Sequence, residues 1–314
     1  MKRISKIVLL ISLIFSQTLL ADIGQEYSET LSQFHSLTSE RIDNVKEGSR
    51  PFILSQDKLA PTVVMLHGLS DSPGSLKEAS AVYYKRGYNV VTVLLRDHGL
   101  LPAYRHDIRS NVKLADWRAD IDKLMEVAFK LSDTQKVALV GFSLGGALAL
   151  DTANRYEGKI TSLVLLAPLF KMIHGWAAPT SRILRHVKYS IEKGIPEAEH
   201  FYPDIALNQT YQAHTLLKHL KKNVTKDASA TLIKLPKMMF LTDADTTIEN
   251  DYAITVAGLI NIEQDRVILY TNPEKNSVTL HRDLPMKKIN ATGNLNPHIE
   301  DLLSNLDGFL ASLE

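Results

Sequence analysis

The stretch from Lys136 to Gly146 constrains this chain more than any other. Lys136-Val-Ala-Leu-Val140 has strand character and runs without a spacer into Gly141-Phe-Ser-Leu-Gly-Gly146, which opens an apolar helix to Arg155. A strand that turns straight into a helix commits that helix to pack back on the sheet, the first half of a strand–helix–strand crossover. Small residues on either side of Ser143 let so sharp a turn close without side-chain collision. The serine itself is driven into strained backbone with its hydroxyl pushed outward, and the helix N-terminus beyond it favours negative charge nearby.

The same alternation runs through the rest of the chain. Apolar runs at Thr62–Leu66, Tyr88–Leu95, Lys136–Val140, Thr161–Ala167, Lys237–Thr242 and Arg266–Thr271 read as strands. Helical spacing marks Ser75–Arg86 (stopped by Gly87), 114–131, Leu144–Arg155, Glu249–Ile260 and 298–313. Residues 22–60 read as a polar N-terminal extension in which Phe52-Ile-Leu54 forms one early strand. Strands alternating with helices predict an α/β fold whose mostly parallel sheet is covered by helices on both faces. The rhythm fails between 171 and 235, where helical stretches rich in aromatics and histidines contain no expected strand. That segment is too long for a plain loop. It is expected to be a helical lid inserted into a core made of 61–170 and 236–314.

Composition closes several alternatives. The 314 residues are 45% hydrophobic and 23% charged, with a net charge of +1 and no basic stripe, so nucleic acid is not an expected partner. The absence of cysteine removes disulfides, thiol catalysis and cysteine-based metal sites. Lys2, Arg3 and Lys6, the apolar run Ile7–Phe15 and then Ala21 read as a signal peptide over 1–21, too short and interrupted for a bilayer span. Export without disulfides fits a bacterial periplasmic or secreted protein, with no stable membrane span once the signal is cleaved.

A serine becomes a useful nucleophile only with a base to take its proton and a carboxylate to orient that base. On an elbow of this kind the acid and then the histidine follow the serine in the chain. After the strand ending at Thr242 come Asp243 and Asp245; Asp245 lies deeper in the loop and is the expected acid. Only His281 and His298 follow it. His298 opens an amphipathic helix, which makes it a first-turn residue, and His281 in the preceding loop is the expected base. The developing oxyanion needs two backbone donors. The N–H of Leu144 follows the nucleophile, and that of Leu69 lies in the His67-Gly68-Leu69 loop after an earlier strand; His67 is read as shaping that loop.

These pieces resemble a family. Leu66-His-Gly-Leu-Ser-Asp-Ser-Pro-Gly74, Leu95-Arg-Asp-His-Gly-Leu-Leu-Pro102, Asp116-Trp-Arg-Ala-Asp120 and Gly141-Phe-Ser-Leu-Gly-Gly146 are similar to α/β-hydrolases grouped around bacterial carboxylesterases, monoacylglycerol lipases and serine-aminopeptidase-type hydrolases. The resemblance implies the α/β-hydrolase fold, Ser143, Asp245 and His281 as a triad, and Leu69 and Leu144 as the oxyanion hole. One departure is Asp97, where relatives carry a glycine before His-Gly, and a charge there is expected to alter the pocket mouth.

The first function expected is therefore hydrolysis of a small-molecule ester or lipid through an acyl-enzyme, chemistry that needs no metal or organic cofactor. Among the insertion's aromatics, Trp176, Tyr189, Phe201, Tyr202 and Tyr211, some are candidates to line an acyl pocket, with packing within the lid the commoner role. The same triad also serves an aminopeptidase-like amide hydrolase, with Glu197 and Glu199 as a clamp for the substrate amine, or an acyltransferase. A non-catalytic binding protein is disfavoured, because every required residue type occurs in the required order.

Overall fold

The computed structural model describes residues 24–38, 42–104, 111–173, 190–192, 200–201, 204–223, 230–272, 278–289 and 293–314. The signal-peptide segment 1–21 lies outside them. Helix α1 covers 24–38. The strands are β1 (Ile53–Leu54), β2 (Thr62–Leu66), β3 (Asn89–Val93), β4 (Val137–Phe142), β5 (Ile160–Leu166), β8 (Lys237–Thr242) and β9 (Val267–Tyr270). They form one sheet in the order β1-β3-β2-β4-β5-β8-β9, in which only the β1–β3 pair is antiparallel. Helices α2 (Lys77–Lys85), α3 (Leu114–Leu131), α4 (Leu144–Arg155), α7 (Asn250–Leu259) and α8 (Ile299–Ala311) alternate with the strands.

Every residue of β2, β3, β4 and β8 is buried. Successive side chains of a strand point to opposite faces, so both faces of the sheet centre are covered. This is why those strands read as unbroken apolar runs rather than as alternating ones. Trp117, Ile121, Leu124, Met125 and Ala128 of α3 supply one stripe of the core, at the spacing of a single helix face.

The structure corrects three sequence expectations. The extension 22–60 is not simply a polar lead-in. Tyr27, Leu31, Phe34 and Leu37 of α1 lie three and four residues apart; Tyr27 and Phe34 join the core, with Leu31 and Leu37 packed against it. The Tyr27 hydroxyl meets Ser55 Oγ at 2.6 Å and donates to Asn89 Oδ1 at 3.2 Å, fastening the helix to the start of β3. The segment 171–235, expected to lack strands, carries an antiparallel pair of β6 (Ser190–Glu192) and β7 (Asp204–Ala206), followed by α5 (Leu207–Asn223) and α6 (Ala230–Lys234). Strand β3 is shorter than the apolar run that announced it, because Leu94–Asp97 turn away from the sheet. Since β5 and β8 are neighbours, the whole segment departs from and returns to the same place in the sheet. Its helix α5 packs on α3 and α4. Among the described residues, no helix is long and apolar enough to cross a membrane.

Candidate active site

The elbow forms because three backbones meet where no side chain fits. A β-carbon on Gly141 would collide with the carbonyl of Gly145, and one on Gly145 with the carbonyl of Leu66 at the end of β2. Ser143 between them sits at φ 52° and ψ −116°. For a residue other than glycine, such backbone costs on the order of 1–3 kcal/mol. It is held there from both sides: its N–H donates to Leu166 O at 2.9 Å, and its carbonyl accepts from Gly146, Ala147 and Leu169. Its hydroxyl is thereby aimed away from the sheet, at the first position before α4.

His281 and Asp245 arrive from two other strand ends. Asp245 follows β8; one of its carboxylate oxygens accepts the N–H groups of Thr247 (2.8 Å) and Ile248 (2.9 Å), tying its own loop. The other oxygen lies 2.6 Å from His281 Nδ1, and His281 Nε2 lies 2.7 Å from Ser143 Oγ. A carboxylate can only accept, so Nδ1 carries the proton and Nε2 offers its lone pair to the serine hydroxyl. All three residues are buried. The ring of Phe142 lies 5.3 Å from that of His281 and backs it.

Asp243 and His298, the residues set aside, serve the neighbouring turn. Asp243 accepts from the backbone and side-chain amide of Asn272 at 3.1 and 2.6 Å. His298 stands at the N-cap position of α8 without a side-chain capping bond, stacks on Tyr270 and meets Asn272 Oδ1 at 3.3 Å.

The His67–Leu69 loop packs directly on the elbow. A methyl on Gly68 would lie 3.3 Å from Ser143 Cβ and 3.3 Å from the Phe142 ring. Leu144 is the first residue of α4, where backbone N–H groups have no partner within the helix. His67 is fully buried: Nδ1 contacts Gly68 O at 2.8 Å, and Nε2 accepts the N–H of Leu95 at 3.1 Å. Burial, reinforced by the adjacent His98, holds its pKa well below the usual histidine range, so it ties β2 to the end of β3 as a neutral ring.

Asp71 was not singled out in the sequence. It accepts from Ser75 Oγ at 2.5 Å and, weakly, from Gly68 N at 3.4 Å. Burial pushes its carboxyl up to about 6 against those contacts. The only local signal was an acid three residues after a turn glycine, a common loop arrangement.

Asp97 stands at φ 63°, a left-handed position that favours glycine. Its carbonyl accepts from Gln209 of α5, and the residue lines a cavity of about 160 Å³ with Leu37, Val45, His98 and Lys123. That lining contains none of Ser143, Asp245 and His281. Of the insertion's aromatics, Phe201 is buried beneath the Arg282 guanidinium and Tyr211 is half-buried on α5. Trp176, Tyr189, Tyr202, Glu197 and Glu199 fall outside the described residues. Among the described residues, no cluster of three or more histidines or carboxylates is arranged to hold a metal.

A mostly parallel sheet with helices between its strands, and a serine on the turn after its central strand, defines an α/β-hydrolase. The chain belongs to the hydrolase family described as serine aminopeptidase, S33, whose sequence model matches residues 57–272. It is 25% identical over 112 residues to a thermostable monoacylglycerol lipase from Bacillus sp. strain H-257, a stretch covering 36% of this chain and 42% of that one. In structure it is similar to a metagenome-derived lipolytic enzyme (TM-score 0.65, 18% identity, covering 85% of this chain and 99% of the other). A monoacylglycerol lipase from Paleococcus ferrophilus is similar too (TM-score 0.62, 16% identity, covering 84% and 100%).

Proposed function

We propose that this protein is a serine esterase that cleaves small carboxylic esters, monoacylglycerols being one candidate class, through an acyl-enzyme. The observation that carries the reading is the unbroken contact Ser143 Oγ–His281 Nε2–Asp245 at 2.7 and 2.6 Å. Ser143 attacks the ester carbonyl as His281 takes its proton, and Asp245 holds the imidazolium that results. The backbone N–H groups of Leu69 and Leu144 receive the oxyanion. His281 then protonates the leaving alkoxide, and a water activated by the same ring releases the acid and restores Ser143. The insertion 171–235 serves as a lid over this site, and the protein works in the periplasm or outside a bacterial cell after loss of 1–21.

The family description supports a second reading, in which the same residues cleave the amide bond behind a small N-terminal residue. Nitrophenyl esters of increasing acyl length, assayed beside aminoacyl nitroanilides, separate the two. Ester turnover together with fluorophosphonate labelling of Ser143 is the expected result. Cleavage of anilides alone would replace esterase by peptidase, and inertness to all three reagents would end both readings.

A further inference from the structure

His281 opens one short 3-10 turn, His281–Asp283, tied by a single bond from the Asp283 N–H to Leu280 O at 2.9 Å, and belongs to no strand or α-helix. Something else must set its position, because the contacts to Ser143 and Asp245 tolerate little drift. The residues on either side of it are gripped by one continuous chain of neutral side chains. Thr242, the last residue of β8, donates its hydroxyl to Thr279 O at 2.8 Å. The same hydroxyl accepts from Asn272 Nδ2 at 2.8 Å, and Asn272 Oδ1 accepts the Thr279 N–H at 2.7 Å. Thr279, two residues before His281, donates its own hydroxyl to Asn296 Oδ1 at 2.8 Å. Asn296 turns its amide toward the carbonyls of Asp283 (2.9 Å), Leu284 (3.3 Å) and Met286 (3.0 Å), just beyond His281.

Thr242, Thr279 and Asn296 are at most 2% exposed. A buried amide or hydroxyl is retained only where its partners are supplied, and here the Thr242 hydroxyl both donates and accepts, the Thr279 hydroxyl donates, and the Asn296 amide uses both its oxygen and its nitrogen. Three features make this more than loop packing. The chain begins at Thr242, three residues before Asp245 on the strand end that carries it. It takes hold of the histidine loop on both sides of the ring. Its four side chains carry no charge of their own, and the carboxylate that meets them, Asp243, accepts from Asn272 at 2.6 Å.

We propose that Thr279 and Asn296 are positioning residues, which with Thr242 and Asn272 form a neutral brace that transmits the position of the β8 end to His281 and so sets its contact with Asp245. The proposal rests on the reading of His281 as the base. A misplacement of about 1 Å in a catalytic group costs about 10²-fold in rate. Thr279→Val, which keeps the shape and deletes the donor, is therefore expected to lower kcat on a nitrophenyl ester by about 10–100-fold with KM within about twofold. Thr279→Ser, which keeps the donor, should recover kcat to within about threefold. Asn296→Ala should resemble Thr279→Val where it folds, and the Thr279 pair carries the test where it does not.

The second readout needs no substrate: the low-field proton resonance of the imidazole Nδ1–H that donates to Asp245. It should be present in the wild type and in Thr279→Ser, and shifted or lost in Thr279→Val. An unaltered resonance and unaltered kcat in Thr279→Val, whatever its melting temperature, would reduce the brace to ordinary loop stability and overturn the proposal. Absence of the resonance in the wild type would overturn it as well, because the contact the brace is said to set would not exist. If instead the wild type shows the resonance but turns over neither esters nor anilides, the esterase reading fails, and the brace is judged on the resonance alone.

Discussion

The serine and the histidine, 2.7 Å apart, are held in place by opposite means. Ser143 is held by backbone: two glycines whose missing β-carbons let β2, β4 and the start of α4 touch, and a strained φ that the surrounding core over-determines. His281 is held by side chains: hydroxyls and amides drawn from positions 242, 272, 279 and 296, joined across crossing loops. The first device is rigid and intolerant, since any added atom meets main chain. The second is adaptable, since each link is one hydrogen bond with a net worth of about 1 kcal/mol. The difference teaches that one side chain of a site can be strained into place by the sheet itself, while its neighbour is placed by side-chain hydrogen bonds gathered from several loops.

That contrast can be broken by experiment. Ser143→Ala should lower kcat by about 10⁶-fold while leaving the fold intact, because only the hydroxyl is removed; ester hydrolysis within tenfold of wild type would remove the serine from the mechanism. Asp245→Asn keeps the loop geometry but presents the wrong partner to His281 Nδ1, and a loss of about 10⁴-fold in kcat is expected. A far smaller loss would mean that the brace, and not the carboxylate, orients the ring.

Gly145→Ala tests the elbow by stability. Its methyl would meet the Leu66 carbonyl, which is fixed in the central sheet, so destabilisation of about 3 kcal/mol or more, read by denaturant melts, is expected. Near-normal stability would show that the elbow can give way as the histidine side can.

The smallest effect concerns Asp71, an acid beside the His67–Leu69 loop that burial makes reluctant to ionise. Its folded pKa, about 6, stands above the ordinary 3.8, so the folded state binds this proton more tightly than the unfolded chain. The stability this confers is full below pH 3.8 and is lost as pH rises through about 6. Ionised Asp71 thus costs on the order of 2–3 kcal/mol above that window. Asp71→Asn removes the ionisation and keeps an acceptor for Ser75. It should melt higher than wild type at pH 8 and show that gain shrinking toward pH 4. An equal gain at both pH values would point to packing instead of charge.

Much of this molecule was legible before any coordinates. The alternation of buried strands and amphipathic helices and the glycine-flanked elbow at Ser143 reside in short stretches where neighbours in sequence are neighbours in space, whereas Asp245 and His281, 36 positions apart, are reached through chain order and loop position. Periodicity of 3.6 or continuous apolarity is a local property, and so is the glycine pattern of a sharp turn. The helix at 24–38 was equally available, through Tyr27, Leu31, Phe34 and Leu37, but its narrow apolar stripe sits among polar residues and reads as a lead-in until Asn89 and Ser55 are seen beside it.

What only the folded chain decided is of a different kind. The β6–β7 pair, the burial that raises the Asp71 carboxyl, and the links from Thr242 through Thr279 to Asn296 depend on which loops cross. Thr279 and Thr242 are 37 positions apart, and no spacing rule relates them. A threonine or asparagine carries no sign of its eventual partner: its hydrogen bonds are chosen by the groups that tertiary packing leaves within reach and shields from water.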